Sequence, residues 1–171
     1  MQILRVAAIA LCLTACNDEQ AQPTSPPPVP AQGVTASITV DNLNAPIGSA
    51  VRVRVEMQVG ADQAQNIGSY TGRLRFDPAR LEFRAENRIN DGLRVSNPGA
   101  AATGEIRFAG ASPTGFTTLV LYDGTFTVKS AAYTQNLQLM MEELSASSTL
   151  ANLRPTLRVN SQVFVHRPAA H

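Results

Sequence analysis

Few side chains in this chain are of a type that carries chemistry. Among 171 residues there are two histidines, His166 and His171, and two cysteines, Cys12 and Cys16. Both histidines fall at the C-terminal end, so neither is placed for the central role that a catalytic triad demands. They read as part of a solvated tail. Paired carboxylates are the other chemistry on offer, because glycoside hydrolysis needs two of them facing one bond. Glu142-Glu143 and the pair Asp77/Glu82 are the candidates. Neighbours in an alternating strand point to opposite faces, so Glu142 and Glu143 are not expected to converge. Solvation, turn capping and ion pairs with arginine account for all four. No Gly-rich phosphate loop, His-Glu metal motif or calcium-loop pattern occurs. The sequence therefore predicts no catalytic residue, no metal site and no cofactor. Lys+Arg 14 against Asp+Glu 13 leaves the charge near balance, which argues against a nucleic-acid partner.

Cys16 is the exception, and its setting explains it. Arg5 supplies a short positive start, and Val6 to Leu13 is an apolar run of eight residues. That is too short to span a bilayer, which needs about 20 residues, but it fits the core of a signal peptide. Leu13-Thr14-Ala15-Cys16 then resembles the bacterial lipobox. The resemblance implies that the Cys16 sulfur receives a diacylglycerol, that cleavage falls before it, and that the new amino group is acylated. Two or three acyl chains anchor stably where one is marginal. Cys12 leaves with the signal peptide, so the mature chain has no second cysteine for a disulfide.

The elements around these residues divide the chain. Residues 1–15 read as the signal peptide and 16–33 as the lipidated cysteine and a tether. The tether holds five of the eleven prolines, Pro23, Pro26, Pro27, Pro28 and Pro30. In the extended polyproline form it reaches up to about 50 Å from a membrane, at about 3.1 Å per residue. Residues 34–166 read as one folded domain and 167–171 as a tail. In the domain the hydrophobic period is two. "AVRVRVEMQV" sets Val51, Val53, Val55, Met57 and Val59 on one face and Arg52, Arg54, Glu56 and Gln58 on the other. "ASITVDN", "YTGRLRF", "EIRFAG" and "NLQLMMEEL" alternate similarly. "PTLRVNSQVFV" does so with a turn near Asn160-Ser161. Residues 87–104 read as an excursion containing one short strand, "LRVSN". "LVLYDGTFTVK" is either a hairpin turning at Asp123-Gly124 or one continuous strand; alternation allows both. Short strands between Gly, Pro, Asn and Asp turns predict an all-β sandwich.

Taken in order, these segments resemble the cohesin and carbohydrate-binding-module superfamily. "ITVDNLNAPIGSAVRVRVEMQV" resembles its opening pair of strands. "GSYTGRLRFDPARLEF" carries the most specific match, a strand ending Phe76-Asp77-Pro78 followed by Leu81-Glu82-Phe83. "GEIRFAGAS", "GTFTVKS" and the closing "LQLMMEELSASS" and "LRVNSQVFV" follow in the family's order, and "GTFTVKS" favours the continuous strand. The resemblance covers about 34–165 and implies a jelly-roll sandwich of about nine strands. Proline cannot donate to a ladder, so Pro78 ends its strand.

Two functions follow from that resemblance. Cohesins receive dockerins, small helical modules, on a sheet face that includes the Asp-Pro strand. On this chain the matching outward residues are Thr71, Arg73 and Arg75, the expected partner-binding residues. Relatives of the second kind bind polysaccharide on a strip of exposed aromatic residues. This chain has no Trp and only three tyrosines, Tyr70, Tyr122 and Tyr133, the first two on inward faces. The leading expectation is a non-catalytic, lipid-anchored module that binds a protein partner at the cell envelope. The alternatives are polysaccharide binding and a structural role in an envelope complex. Asn17 after the lipidated cysteine favours the outer membrane if the source has one.

Cys16→Ser is expected to abolish membrane attachment while leaving the fold intact. Fractionation after a high-salt wash, with circular dichroism on the released protein, checks this; a variant that still pellets with membranes contradicts a lipid anchor.

Overall fold

The computed structural model describes residues 32–63 and 66–166. Cys16, the tether up to residue 31 and His171 lie outside them. The described residues form nine strands and three short 3₁₀ helices. The strands are β1 (Val34–Val40), β2 (Ala50–Val59), β3 (Ile67–Arg75), β4 (Leu81–Glu86), β5 (Leu93–Asn97), β6 (Glu105–Ala111), β7 (Val120–Val128), β8 (Gln138–Ala146) and β9 (Leu157–Val165). They make two sheets, one of five strands in the order β4-β7-β2-β1-β9 and one of four in the order β5-β6-β3-β8. The domain is an all-β jelly-roll sandwich. Every pair is antiparallel except β1 with β9.

The core lies between the sheets, where the period-two pattern places it. Val51, Val53, Val55 and Met57 of β2 face Tyr70 and Leu74 of β3, with Ile106 and Phe108 of β6, across the interior. Close packing of rings against strands is possible because two strand positions lack a Cβ. Tyr70 lies opposite Gly110, and Gly72 opposite Phe108. A Cβ on Gly110 would stand 2.5 Å from the Tyr70 ring, and one on Gly72 would stand 2.5 Å from the Phe108 ring. The two rings thus lie over their cross-strand glycines and meet each other with centroids 6.2 Å apart.

Three local features differ from simple alternation. β7 is one strand through Asp123-Gly124, not a hairpin. Its Asp123 lies directly opposite Arg54 of β2 and accepts from Arg54 Nε at 3.0 Å, from both Arg52 Nε and Arg52 Nη2, and from Asn87 Nδ2 at 2.7 Å. A turn would have placed this carboxylate at a tip; the sheet holds it at 5 % exposure with its partners around it. β9 likewise runs through Asn160-Ser161 without turning, and residues 160–162 bulge opposite Ser37. β8 carries a bulge where Thr71 pairs with Glu143 but Gly72 with Met141. Glu142 is the extra residue. The bulge resets the alternation, so Met141 and Leu144 are both buried while Glu142 and Glu143 both lie outside. The expected opposition of the two glutamates is therefore corrected.

Burial alone would raise the Asp123 pKa. The hydrogen bonds from Arg52, Asn87 and Arg54 outweigh it and hold the carboxyl below the ordinary carboxylate value. A depressed folded pKa contributes stability that is present above the unfolded value and lost as pH falls through the folded one. Asp123→Asn is expected to cost about 3 kcal/mol at neutral pH, the low end for a broken buried pair because Arg52 stays half exposed. Wild-type stability should fall on acidification below about pH 4, the unfolded carboxylate range, with a shallower fall in the variant. Urea denaturation at several pH values measures both.

Candidate functional site

The four-stranded sheet exposes one face, and its register determines what that face shows. Three rows cross it. Leu93, Ala111, Ser69 and Ser145 form one; Val95, Ala109, Thr71 and Glu143 the next; Asn97, Arg107, Arg73 and Met140 the third. Glu105, Arg75 and Gln138 close the lower end. The middle strands therefore present short side chains in the upper half and charged ones in the lower half.

The lower half is an ion-pair ladder. Arg73 reaches Glu142 at 2.6 Å and Glu105 at 3.6 Å; Arg75 and Arg107 reach Glu105 at 3.0 and 3.1 Å. Hydrogen bonds from Arg107 and Arg75 hold the Glu105 carboxyl below its ordinary pKa. Thr71, Arg73 and Arg75 do face outward on the sheet singled out from the sequence. The two arginines are not free charges, however. Three guanidinium groups share two carboxylates, which leaves a nearly neutralised surface. The β8 bulge supplies Glu142, which alternation alone hides.

The upper half is apolar along its β5 border, where Leu93 and Val95 are 68 % and 57 % exposed; Met140 of β8, 46 % exposed, stands one row lower, opposite Arg73. β5 is inverted relative to ordinary amphipathic strands, with its aliphatic residues out and its arginine in. Arg94 turns into the sandwich at 8 % side-chain exposure. It donates to the Tyr70 hydroxyl at 2.6 Å, to the Val120 carbonyl at 2.6 Å, to the Thr118 carbonyl at 3.2 Å and to the Asp91 carbonyl at 2.7 Å. Its guanidinium lies 4.4 Å from the Phe116 ring centroid. Asp91 takes backbone N–H groups of Thr118 and Thr117 and is held below the ordinary carboxylate value by them and by Arg94. Between the borders, Thr71, Gly72, Val95, Phe108 and Ala109 line a shallow hollow of about 220 Å³.

The other candidates from the sequence have structural partners. Asp77 accepts from the Ala79 N–H and pairs with Arg80, and Glu82 pairs with Arg84. His166, read as tail, instead meets Glu56 at 2.6 Å. None of the three tyrosines and six phenylalanines is exposed, so no aromatic platform for sugar rings stands on the described surface. Among the described residues no three His, Cys, Asp or Glu side chains cluster to hold a metal, and no helix is long and apolar enough to cross a membrane.

No family model and no curated protein sequence matches the chain. Solved structures do. The chain has the fold of cohesin modules. The sixth cohesin of scaffoldin B from Acetivibrio cellulolyticus, solved with a variant Cel5 dockerin, is similar at 18% identity and a TM-score of 0.58, over 79% of this chain and all of that one. A type I cohesin from Clostridium thermocellum, solved in a cohesin–dockerin complex, is 12% identical with a TM-score of 0.56 over 80% and 94%. A non-cellulosomal cohesin from the archaeon Archaeoglobus fulgidus is 19% identical with a TM-score of 0.52 over 76% and 86%. At these identities the similarity is one of fold.

Arg94→Ala strands several buried acceptors at once, each costing about 1–3 kcal/mol if left dry. The variant is expected to lose about 3 kcal/mol of stability. Amide exchange should quicken first over residues 93–97, since β5 loses its tie to the other sheet; uniform quickening over all strands would contradict this role.

Proposed function

We propose that this chain is a non-catalytic, cohesin-like module that binds a protein partner on the outer face of β5-β6-β3-β8, held at the cell envelope by a lipid on Cys16. The observation that carries the reading is the inverted strand. Arg94 ties the sheets together, but the domain gains nothing for its own stability by leaving Leu93 and Val95 in water. The arrangement makes sense if another molecule covers the aliphatic residues.

The shape of the face suits a helix. From β5 to β8 is three strand spacings, about 14 Å. The β5 rim carries Leu93 and Val95, the β8 rim carries Ser145, Glu143 and, one row lower, Met140, and the floor carries Ser69, Thr71, Ala109 and Ala111. A helix about 10 Å across with its side chains fits such a trough. The cohesins of similar fold solved with dockerins support a dockerin-like partner. Because the ladder is nearly neutralised, apolar contact and hydrogen bonds, rather than charge, carry the affinity.

A photo-crosslinking residue placed at Val95 in the native envelope is expected to capture one discrete protein, with no such adduct from Ile47, which is more exposed but lies outside this face. Val95→Asp should weaken binding to the captured protein tenfold or more, as for a central apolar contact. Capture of no protein at Val95, or retention on insoluble polysaccharide instead, overturns the reading.

A further inference from the structure

The turn after β8 holds a leucine in a conformation that leucine disfavours. Ser145 bridges Asn152, and the Ala146 N–H bonds the Ala151 carbonyl at 3.0 Å, so residues 147–150 form a four-residue hairpin loop. The Ser147 N–H fastens the loop to the Asn66 carbonyl at 2.9 Å. Leu150 closes it with φ at 56°. Such a left-handed position suits Gly or Asn, and a branched apolar residue there is a steric outlier. The Leu150 side chain is also 79 % exposed, the highest value among the exposed large hydrophobics of the described residues. Backbone strain and solvated apolar surface thus coincide in one residue. Strain of this kind persists where the surroundings impose it, and it concentrates at binding sites.

Its position gives it a use. Leu150 lines a depression of about 410 Å³ with Ser69, Glu142, Ser145 and Arg154. Ser69 and Ser145 belong to the upper row of the candidate face and share a hydrogen bond at 2.5 Å. Arg154 forms a fixed wall through its bond to the Glu142 carbonyl at 2.7 Å. With Leu150 counted, four of the six exposed large hydrophobics among the described residues stand on or beside this face: Leu93, Val95, Met140 and Leu150. We propose that Leu150 is a contact residue for the partner, closing on an apolar side chain of the docked helix that enters the depression beside it. This rests on the reading of the face given above, and it extends the site from the sheet into the β8–β9 turn.

The test compares stability with binding in one variant. Leu150→Gly removes the side chain and suits the backbone, so its denaturation midpoint should be unchanged or higher. The binding probes are helical-hairpin proteins selected from a display library against the full chain in detergent. Their affinity should fall tenfold or more on Leu150→Gly and on Val95→Ser, and stay unchanged on Ile47→Ser. Loss on Val95→Ser with none on Leu150→Gly leaves the face standing and overturns the role of Leu150. Insensitivity to both, or a library that yields no binders, overturns the face and this inference together. A lowered midpoint in Leu150→Gly shows that the leucine serves the fold, and overturns the inference as well. Leu150→Asn, equally suited to the backbone, should repeat the result of the glycine variant.

Discussion

The exposed face depends on one buried guanidinium. A strand alternates, so the residue that goes in decides which residues go out. In β5 the residue that goes in is Arg94. Its bonds to the Tyr70 hydroxyl and to the Val120 and Thr118 carbonyls span both sheets. Tyr70 in turn donates to the Leu121 carbonyl at 2.8 Å. Burial pushes the Tyr70 phenol up to about 12, against the pull of Arg94, so the hydroxyl keeps its proton and can serve both bonds. Once these groups are satisfied, shifting β5 by one residue would turn Arg94 outward and leave the Val120, Thr118 and Asp91 carbonyls without its donors. Leu93 and Val95 are then committed to the outside. The apolar rim follows from a polar network beneath it.

The charged half of the face is built on the same economy of partners. Arg73 and Arg75 stand two apart on one strand and would repel each other if left alone. Glu105 lies directly opposite Arg75, and the β8 bulge delivers Glu142 to Arg73. The guanidiniums are thereby fixed in place. Surface pairs of this kind add little to stability. Their effect here is geometric: they hold the arginine and glutamate side chains in fixed positions at the end of the apolar trough.

The sequence carried the sandwich because each core strand obeys one rule. Val51, Val53 and Val55 fall inside, as does Leu74 with Tyr70, and the Phe76-Asp77-Pro78 segment ends its strand where proline requires. The sheet that bears Thr71, Arg73 and Arg75 was legible for the same reason. What escaped were places where alternation is broken by something distant in sequence. The β8 bulge shows only in pairing with β3, and the β9 bulge only in pairing with β1. The choice between turn and strand at Asp123 is decided by Arg52, Arg54 and Asn87, none of them local. "LRVSN" gave a strand but not its orientation, because the partners of Arg94 lie 24 and 26 residues away.

These departures fall in both sheets. The buried Arg54–Asp123 pair and the β9 bulge belong to the five-stranded sheet, and Ala132 has φ at 55°. Three of them, the inverted strand, the bulge that frees Glu142 and the strained Leu150, border one face. Local rules are broken in real proteins chiefly where binding requires it, and strain survives where the rest of the structure over-determines it. A sandwich with a conventional core tolerates such departures at its rim, because the core, not the rim, supplies most of the burial that holds it folded. If the face binds as proposed, substitutions on it change binding with small effects on stability, except at Arg94. There the two requirements meet in one side chain, which shapes the face from below and ties the two sheets together.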